Sequence, residues 1–398
     1  MNNLMQRVKG RASLLTLTLV ASLPAMAIVV PNPPTLNAKG YVLMDFQSGD
    51  ILVGHNADQP LAPASLTKLM TAYVVGKEIQ QGRTTWDSKV AISENAWSVK
   101  FPDSSKMFIK PGDSVTVIDL MRGLIVQSGN DAAVALAEHV AGSENGFVSL
   151  MNDWAQTLGM NQTQFINAHG LDGEGIYTTP REMAILMTRI IQDVPEVYKL
   201  YSEKRFVWAD IQQYNRNRLL WDNSLNVDGG KTGYTSQAGY SLVSSATQGP
   251  MRLISVVMGT PSKQTRVEAS RQLLNYGFRF YETDQLAESD KEEAVVKVWK
   301  GDESTIKVGF EKDIYATYLR SRDSRITKEI EIKGPVMAPI NQGEVVGTIN
   351  WYSGNDPIAS APLVAKQTVE QGSIFKRVWD SVVLWVKSFF SDVETIVS

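Results

Sequence analysis

Ser65-Leu66-Thr67-Lys68 sets a hydroxyl and an amine three residues apart. On a helix, positions with that spacing share a face, so the two groups are neighbours. A serine hydroxyl is a weak nucleophile until a base takes its proton, and a lysine can be that base when its pKa is depressed. A serine at a helix N-terminus also has free backbone N–H groups and the positive dipole end beside it. The spacing alone is weak evidence, because Ser304 with Lys307 and Ser373 with Lys376 repeat it. Those copies fall in a strand-rich stretch and at the opening of a C-terminal helix, where a strand or loop and a helix cap explain them.

Two further triplets carry chemistry. In Ser128-Gly129-Asn130 the hydroxyl can relay a proton, and the amide can hold a carbonyl or an amine. Its copy, Ser353-Gly354-Asn355, lies between strand-like segments, where a β-turn suffices. Lys231-Thr232-Gly233 occurs once and offers a fixed cation, a hydroxyl and a glycine that lets a ligand backbone come close. Lys68 near Lys231 is expected to have a depressed pKa, since two ammonium groups in one cleft disfavour each other and burial adds to this.

These groups need a scaffold. Residues 41–46 and 51–53 flank Gln47-Ser48-Gly49-Asp50 in a hairpin pattern. Leu66, Leu69, Met70, Tyr73 and Val74 then recur at helical spacing, which puts Ser65 at a helix start. A helical middle follows, clearest over 118–125 and 132–140, with Pro180 opening another helix. Strands are expected at 231–235, 240–245 and 253–258, and a helix over 268–280 with Leu273, Leu274 and Phe278 on its apolar side. Strands, helices and strands again predict an α+β fold, an α/β sandwich whose antiparallel sheet joins both chain ends. Residues 285–293 turn acidic and read as a linker. Strand patterns at 294–299, 314–319, 326–332 and 345–351 then predict a small all-β domain without chemistry of its own.

Composition narrows the reading. A chain of 398 residues suggests two domains, and 43% hydrophobic residues can bury a sizeable core. A net charge of -3 with no basic run in the body excludes nucleic acid as a partner. Cysteine is absent, and the three histidines, His55, His139 and His169, form no metal-binding helix pair, so neither a cofactor nor a metal is called for. Arg7, Lys9 and Arg11, the apolar stretch 12–22 and Ala25-Met26-Ala27 have the order of a secretory signal peptide. The division expected is therefore signal peptide 1–27, catalytic domain 28–285, all-β domain 286–371 and a terminal helix 372–398. In that helix Phe375, Trp379, Val382, Trp385, Val386, Phe389, Phe390 and Val393 recur every three or four residues against a charged side. Such a helix can lie in a membrane interface; packing on the chain's own core or in a homodimer seam are the competing uses.

Taken together, Ser65 to Lys68, Ser128 to Asn130 and Lys231 to Gly233, in this order in an exported chain, resemble the active-site serine penicillin-recognising family. The likeness continues through residues 216–228, and the whole mature chain is similar to low-molecular-mass penicillin-binding proteins, the D-alanyl-D-alanine carboxypeptidases of type 5 and 6. That resemblance implies attack by Ser65 on the carbonyl between the two terminal D-Ala residues of a peptidoglycan pentapeptide. It makes Lys68 the general base, and Ser128 and Asn130 the residues that pass the proton and hold the peptide. Lys231 and Thr232 fall near the terminal carboxylate, with an oxyanion hole from the backbone N–H groups of Ser65 and Tyr234. Arg266 and Arg216 match basic residues by the pocket, a surface ion pair being the other use for each. Tyr234 departs from the pattern, since close relatives often carry His after the glycine. The implied partners are the pentapeptide, β-lactam antibiotics and a membrane surface, on the periplasmic face of the inner membrane. A class A β-lactamase, which would need a Glu in an ExxLN segment, and a non-catalytic wall scaffold are the alternatives.

Overall fold

The computed structural model describes residues 31–320 and 325–394, with side chains to 388. The expected signal peptide, and the side chains of Phe389, Phe390 and Val393, lie outside the described residues. Five antiparallel strands form the central sheet: β1 (Gly40–Asp45), β2 (Ile51–His55), β3 (Asn226–Thr235), β4 (Gly239–Gln248) and β5 (Met251–Thr260). Their order is β2-β1-β5-β4-β3, so the first hairpin and the late strands share one sheet, as the sequence pattern implied.

Alternation along each strand explains the sandwich. Val42, Met44, Val243, Ile254 and Val256 face a helical layer, while Tyr41, Leu43, Leu242, Leu253 and Val257 face the other side. The helical layer contains α1 (Thr67–Gln80), α2 (Asn130–Ala141), α3 (Glu144–Thr157) and α4 (Pro180–Asp193). Helix α1 is buried nearly all round, which makes it the centre of that layer rather than an amphipathic cover. Helix α4 begins with Pro180 behind a Thr179 cap, whose side chain accepts from Glu182 N. On the opposite face α5 (Lys263–Phe280) lays Ala269, Leu273, Leu274 and Phe278 against the sheet.

The expected linker is corrected. A strand over Tyr281–Ala287 follows α5 without a break and pairs with Ile314–Leu319, and a second begins at Glu292. Acidic side chains here point outward from a strand and hide its period. The rest is a six-stranded sheet around a separate core with Trp351 and Phe310. Thr305–Gly309 and Asp356–Ala365 are strands the pattern did not reveal. Hydrogen bonds tie this part to the first: Thr283 Oγ1 donates to buried Asp45 Oδ2 at 2.8 Å, and Ser48 Oγ meets Thr317 Oγ1 at 2.9 Å.

A terminal helix, α6 (Ile374–Glu394), docks on the β part by its polar side. Asp380 accepts from Lys300 N at 2.6 Å, and Lys376 Nζ reaches Asp302 O and Ser304 Oγ. Phe375, Trp379 and Trp385 point to solvent, with Phe375 88% exposed. No helix among the described residues is long and apolar enough to cross a membrane.

Candidate active site

Ser65 sits in a single tight turn, Ala64–Leu66, that runs directly into α1. The turn is strained: Ala64 has φ 48°, a left-handed value that costs a residue with a Cβ roughly 1–3 kcal/mol. Three residues on, Lys68 is fully buried and its Nζ donates to Ser65 Oγ at 3.1 Å, Asn130 Oδ1 at 2.7 Å and the His169 carbonyl at 2.5 Å. All three ammonium protons are therefore used. On loss of one proton, the nitrogen lone pair can accept from the Ser65 hydroxyl instead.

Burial pulls the Lys68 pKa down to about 7, the Arg216 charge adds to this, and Asp131 opposes it. The sequence pointed to repulsion between Lys68 and Lys231 together with burial, and Arg216 is a further cation acting on both lysines. Lys231 itself is pushed well below the usual lysine value by burial, then by Lys68, Arg216 and Arg266.

Ser128 ends a segment in which the preceding helix widens to a π-turn over Gly123–Gln127, and it takes φ 66°, ψ 36°. Such turns and left-handed residues gather at functional sites because packing must hold them there. The turn aims Ser128 Oγ at Lys231 Nζ, 2.7 Å away, and starts α2 so that Asn130 faces Lys68. The site thus holds two Ser–Lys pairs, with Asn130 bonded to the Lys68 of the first.

Strand β3 brings Lys231, Thr232, Gly233 and Tyr234 past the serine turn. Gly233 does more than open space for a ligand. A Cβ there would lie 3.1 Å from Pro63 O and 3.3 Å from Leu66 Cγ, so its bareness also seats the strand on the turn. Arg266, from α5, is buried and donates to the Gly233 carbonyl at 3.2 Å. Burial and Arg216 lower its pKa to about 10. Among the described residues neither Arg266 nor Arg216 forms an ion pair. Tyr234 is 52% exposed, its ring stacked on Tyr240 at 4.2 Å. A cleft of about 1110 Å³ opens over these groups, lined by Ser65, Ser128, Asn130, Thr232, Gly233, Tyr234, Arg216 and Arg266. Lys68 and Lys231 lie beneath it. The copies of the motifs stay apart: Ser373 Oγ caps α6, and Ser353-Gly354-Asn355 turns between two strands.

A family model described as D-alanyl-D-alanine carboxypeptidase matches residues 27–262, and one described as penicillin-binding protein 5, C-terminal domain, matches residues 281–371. The chain belongs to the D-alanyl-D-alanine carboxypeptidases of the penicillin-binding protein 5 and 6 type. It is a serine-type carboxypeptidase. The D-alanyl-D-alanine carboxypeptidase DacA of Haemophilus influenzae is 47% identical over 362 residues, covering 90% of this chain and 92% of that one. DacC of Escherichia coli is 44% identical over 366 residues, with coverage of 90% and 92%. The crystal structure of penicillin binding protein 5 from Haemophilus influenzae superposes with a TM-score of 0.84 at 46% identity, over 86% of this chain and 100% of that one.

Several parts of this carboxypeptidase's site carried no sequence signal. Asp131 is fully buried, and its carboxylate accepts from Met107 N, Phe108 N, Ile109 N and Ala132 N, fastening the 104–109 loop to the start of α2. That loop supplies Ser104 Oγ, which accepts from Asn130 Nδ2 at 2.9 Å. The His169 carbonyl comes from a loop pressed on the serine turn. Gly170 has φ +83°, and a Cβ on it would lie 1.9 Å from Ala64 O. The His169 ring is kept neutral, its pKa lowered to about 3 by burial and then by the Lys68 charge. Asp131 stood next to a recognised motif and could have been weighed for that reason; a backbone carbonyl could not.

Proposed function

We propose that Ser65 is the nucleophile and Lys68 its general base in removing the terminal D-alanine from peptidoglycan pentapeptides. The observation that carries this is the buried Lys68 amine, 3.1 Å from Ser65 Oγ and with a pKa near neutrality. Neutral Lys68 takes the Oγ proton as Oγ bonds to the carbonyl carbon between the two D-Ala residues. Backbone N–H groups of Ser65 and Tyr234 hold the oxyanion. The C–N bond then breaks. Ser128, with its oxygen on Lys231, passes its proton to the departing amine and is resupplied with the one Lys68 had taken, so Lys68 is neutral again as free D-Ala leaves. Water adds to the ester carbonyl as Lys68 takes a proton from it, and Lys68 returns that proton to Ser65 Oγ as the ester C–O bond breaks and the shortened peptide leaves.

Lys231, Thr232 and Arg266 receive the terminal carboxylate. The cations here have no carboxylate partner at ion-pair distance among the described residues, so the cleft is electrostatically ready for an anionic chain end. Penicillins place a strained amide and a carboxylate at similar separation and acylate the same serine. A β-lactamase is the weaker reading. No Glu lines the cleft among the described residues, and Glu182 is spent on Gln162 N and Thr163 Oγ1 in a loop.

The work is done outside the cytoplasm, after residues 1–27 direct export, with α6 lying on the membrane surface. Support comes from the way α6 docks by its charged side and leaves Trp379 and Trp385 outward. The activity is tested with a pentapeptide ending in D-Ala-D-Ala. Free D-Ala should appear, and no release would overturn the assignment.

A further inference from the structure

Strand β3 is an edge of the five-stranded sheet, and among the described residues its outer edge pairs with no strand. That edge borders the cleft, so an extended peptide can add to it as a further strand. The roles proposed above fix its direction. With the terminal carboxylate at Thr232 and the attacked carbonyl at the Tyr234 N–H, upstream residues run on past Thr235 and Ser236. There Thr235 Oγ1 donates to Asp172 Oδ1 at 2.7 Å, and all three residues line the cleft.

Asp172 is exposed and has no cationic partner among the described residues. Its carboxylate is oriented by Thr235 through one oxygen, which leaves the other open. Alternation along β3 puts Tyr234 on the other side of the strand from Thr235. Lys231, Gly233 and Thr235 turn toward Ser128, the Pro63 turn and Asp172, whereas Tyr234 lies over Tyr240 with the Lys263 charge near it. Elsewhere the charged lining is mostly positive: Arg216, Arg218, Lys263 and Arg266 against Asp103. A carboxylate at this point is therefore a local exception in a cleft built for anions.

We propose that Asp172 selects peptides in which the residue before D-Ala-D-Ala carries an ammonium side chain. This rests on Ser65 being the nucleophile and on the direction that follows from it. An N–H donor on that side chain meets the open carboxylate oxygen in a charge-assisted hydrogen bond. Because the site is exposed, the preference is modest, about fivefold.

The test uses the full chain and two peptides, one with lysine before D-Ala-D-Ala and one with that lysine acetylated on its side-chain nitrogen. The expected kcat/KM ratio favours the free amine about fivefold, shrinks as salt is raised, and falls to near one in Asp172→Asn. Asp172→Glu should keep part of the preference. A ratio near one in the unmodified protein, or an unchanged ratio in Asp172→Asn, overturns the inference. Mass mapping of a penicillin adduct in the same samples separates the two levels: failure of the nucleophile assignment removes the adduct from Ser65, whereas failure here leaves it in place.

Discussion

Lys231 Nζ lies 2.7 Å from Ser128 Oγ, a contact between residues 103 apart in sequence that joins the β3 strand to the helical layer. It stands beside a second hydrogen-bonded group, Ser65, Lys68 and Asn130, in the same site. Removing Ser128 should break the proton path to the leaving amine while Ser65 keeps its base. Ser128→Ala is expected to lower D-Ala release by about 10²–10⁴-fold, measured as kcat on a D-Ala-D-Ala peptide. A loss below tenfold would assign the proton to another donor.

The pH dependence follows from Lys68. Its pKa is lowered to about 7, and only the neutral amine accepts a proton. Acylation by penicillin should therefore rise about tenfold per pH unit below neutrality and level off above it. Lys68→Arg keeps the charge but does not deprotonate in this range, so acylation should fall at least about 10²-fold and lose the limb. Stopped-flow acylation from pH 5 to 9 reads both.

Asp131 is a positioning residue. Asp131→Ala strands buried N–H groups of the 104–109 loop without an acceptor, which should cost about 3 kcal/mol. On a domain of this size that is roughly 6–12 °C in thermal midpoint. Acylation should drop as Asn130 and Ser104 lose their register. A midpoint within about 1 °C of the parent would show that the loop is held by something else.

Gly170→Ala tests the loop that carries the His169 carbonyl. The added methyl meets Ala64 O, and φ +83° is unfavourable for alanine. Acylation should fall by at least tenfold, since either the serine turn or the carbonyl must move. Unchanged kinetics would mean that neither group is held to its place.

A chain ending at Gln371 should remain folded, hydrolyse small peptides as before and no longer sediment with membranes. Trp385→Glu should weaken sedimentation alone. Unfolding of the shortened chain would make α6 a structural element instead.

The sequence made the motif residues, the central sheet and most helices legible because each has a local pattern: spacing, alternation or a cap. Lys68, Asn130, Ser128 and Lys231 were found that way, and folding brought them together. What escaped had no such pattern. The His169 carbonyl is backbone, Asp131 acts through N–H groups more than twenty residues away, and the Asp172 bond depends on Thr235 across 63 residues. The strand Asp356–Ala365 opens on Asp-Pro, which reads as a turn, and Tyr281–Ala287 hides behind its acidic face.

The central assignment is tested most directly by mapping a penicillin adduct. After brief incubation and digestion, mass spectrometry should place a single penicilloyl group on the peptide containing Ser65. Ser65→Ala should lose both the adduct and D-Ala release, while Ser304→Ala and Ser373→Ala keep both. An adduct on any other serine, or D-Ala release surviving in Ser65→Ala, would contradict it.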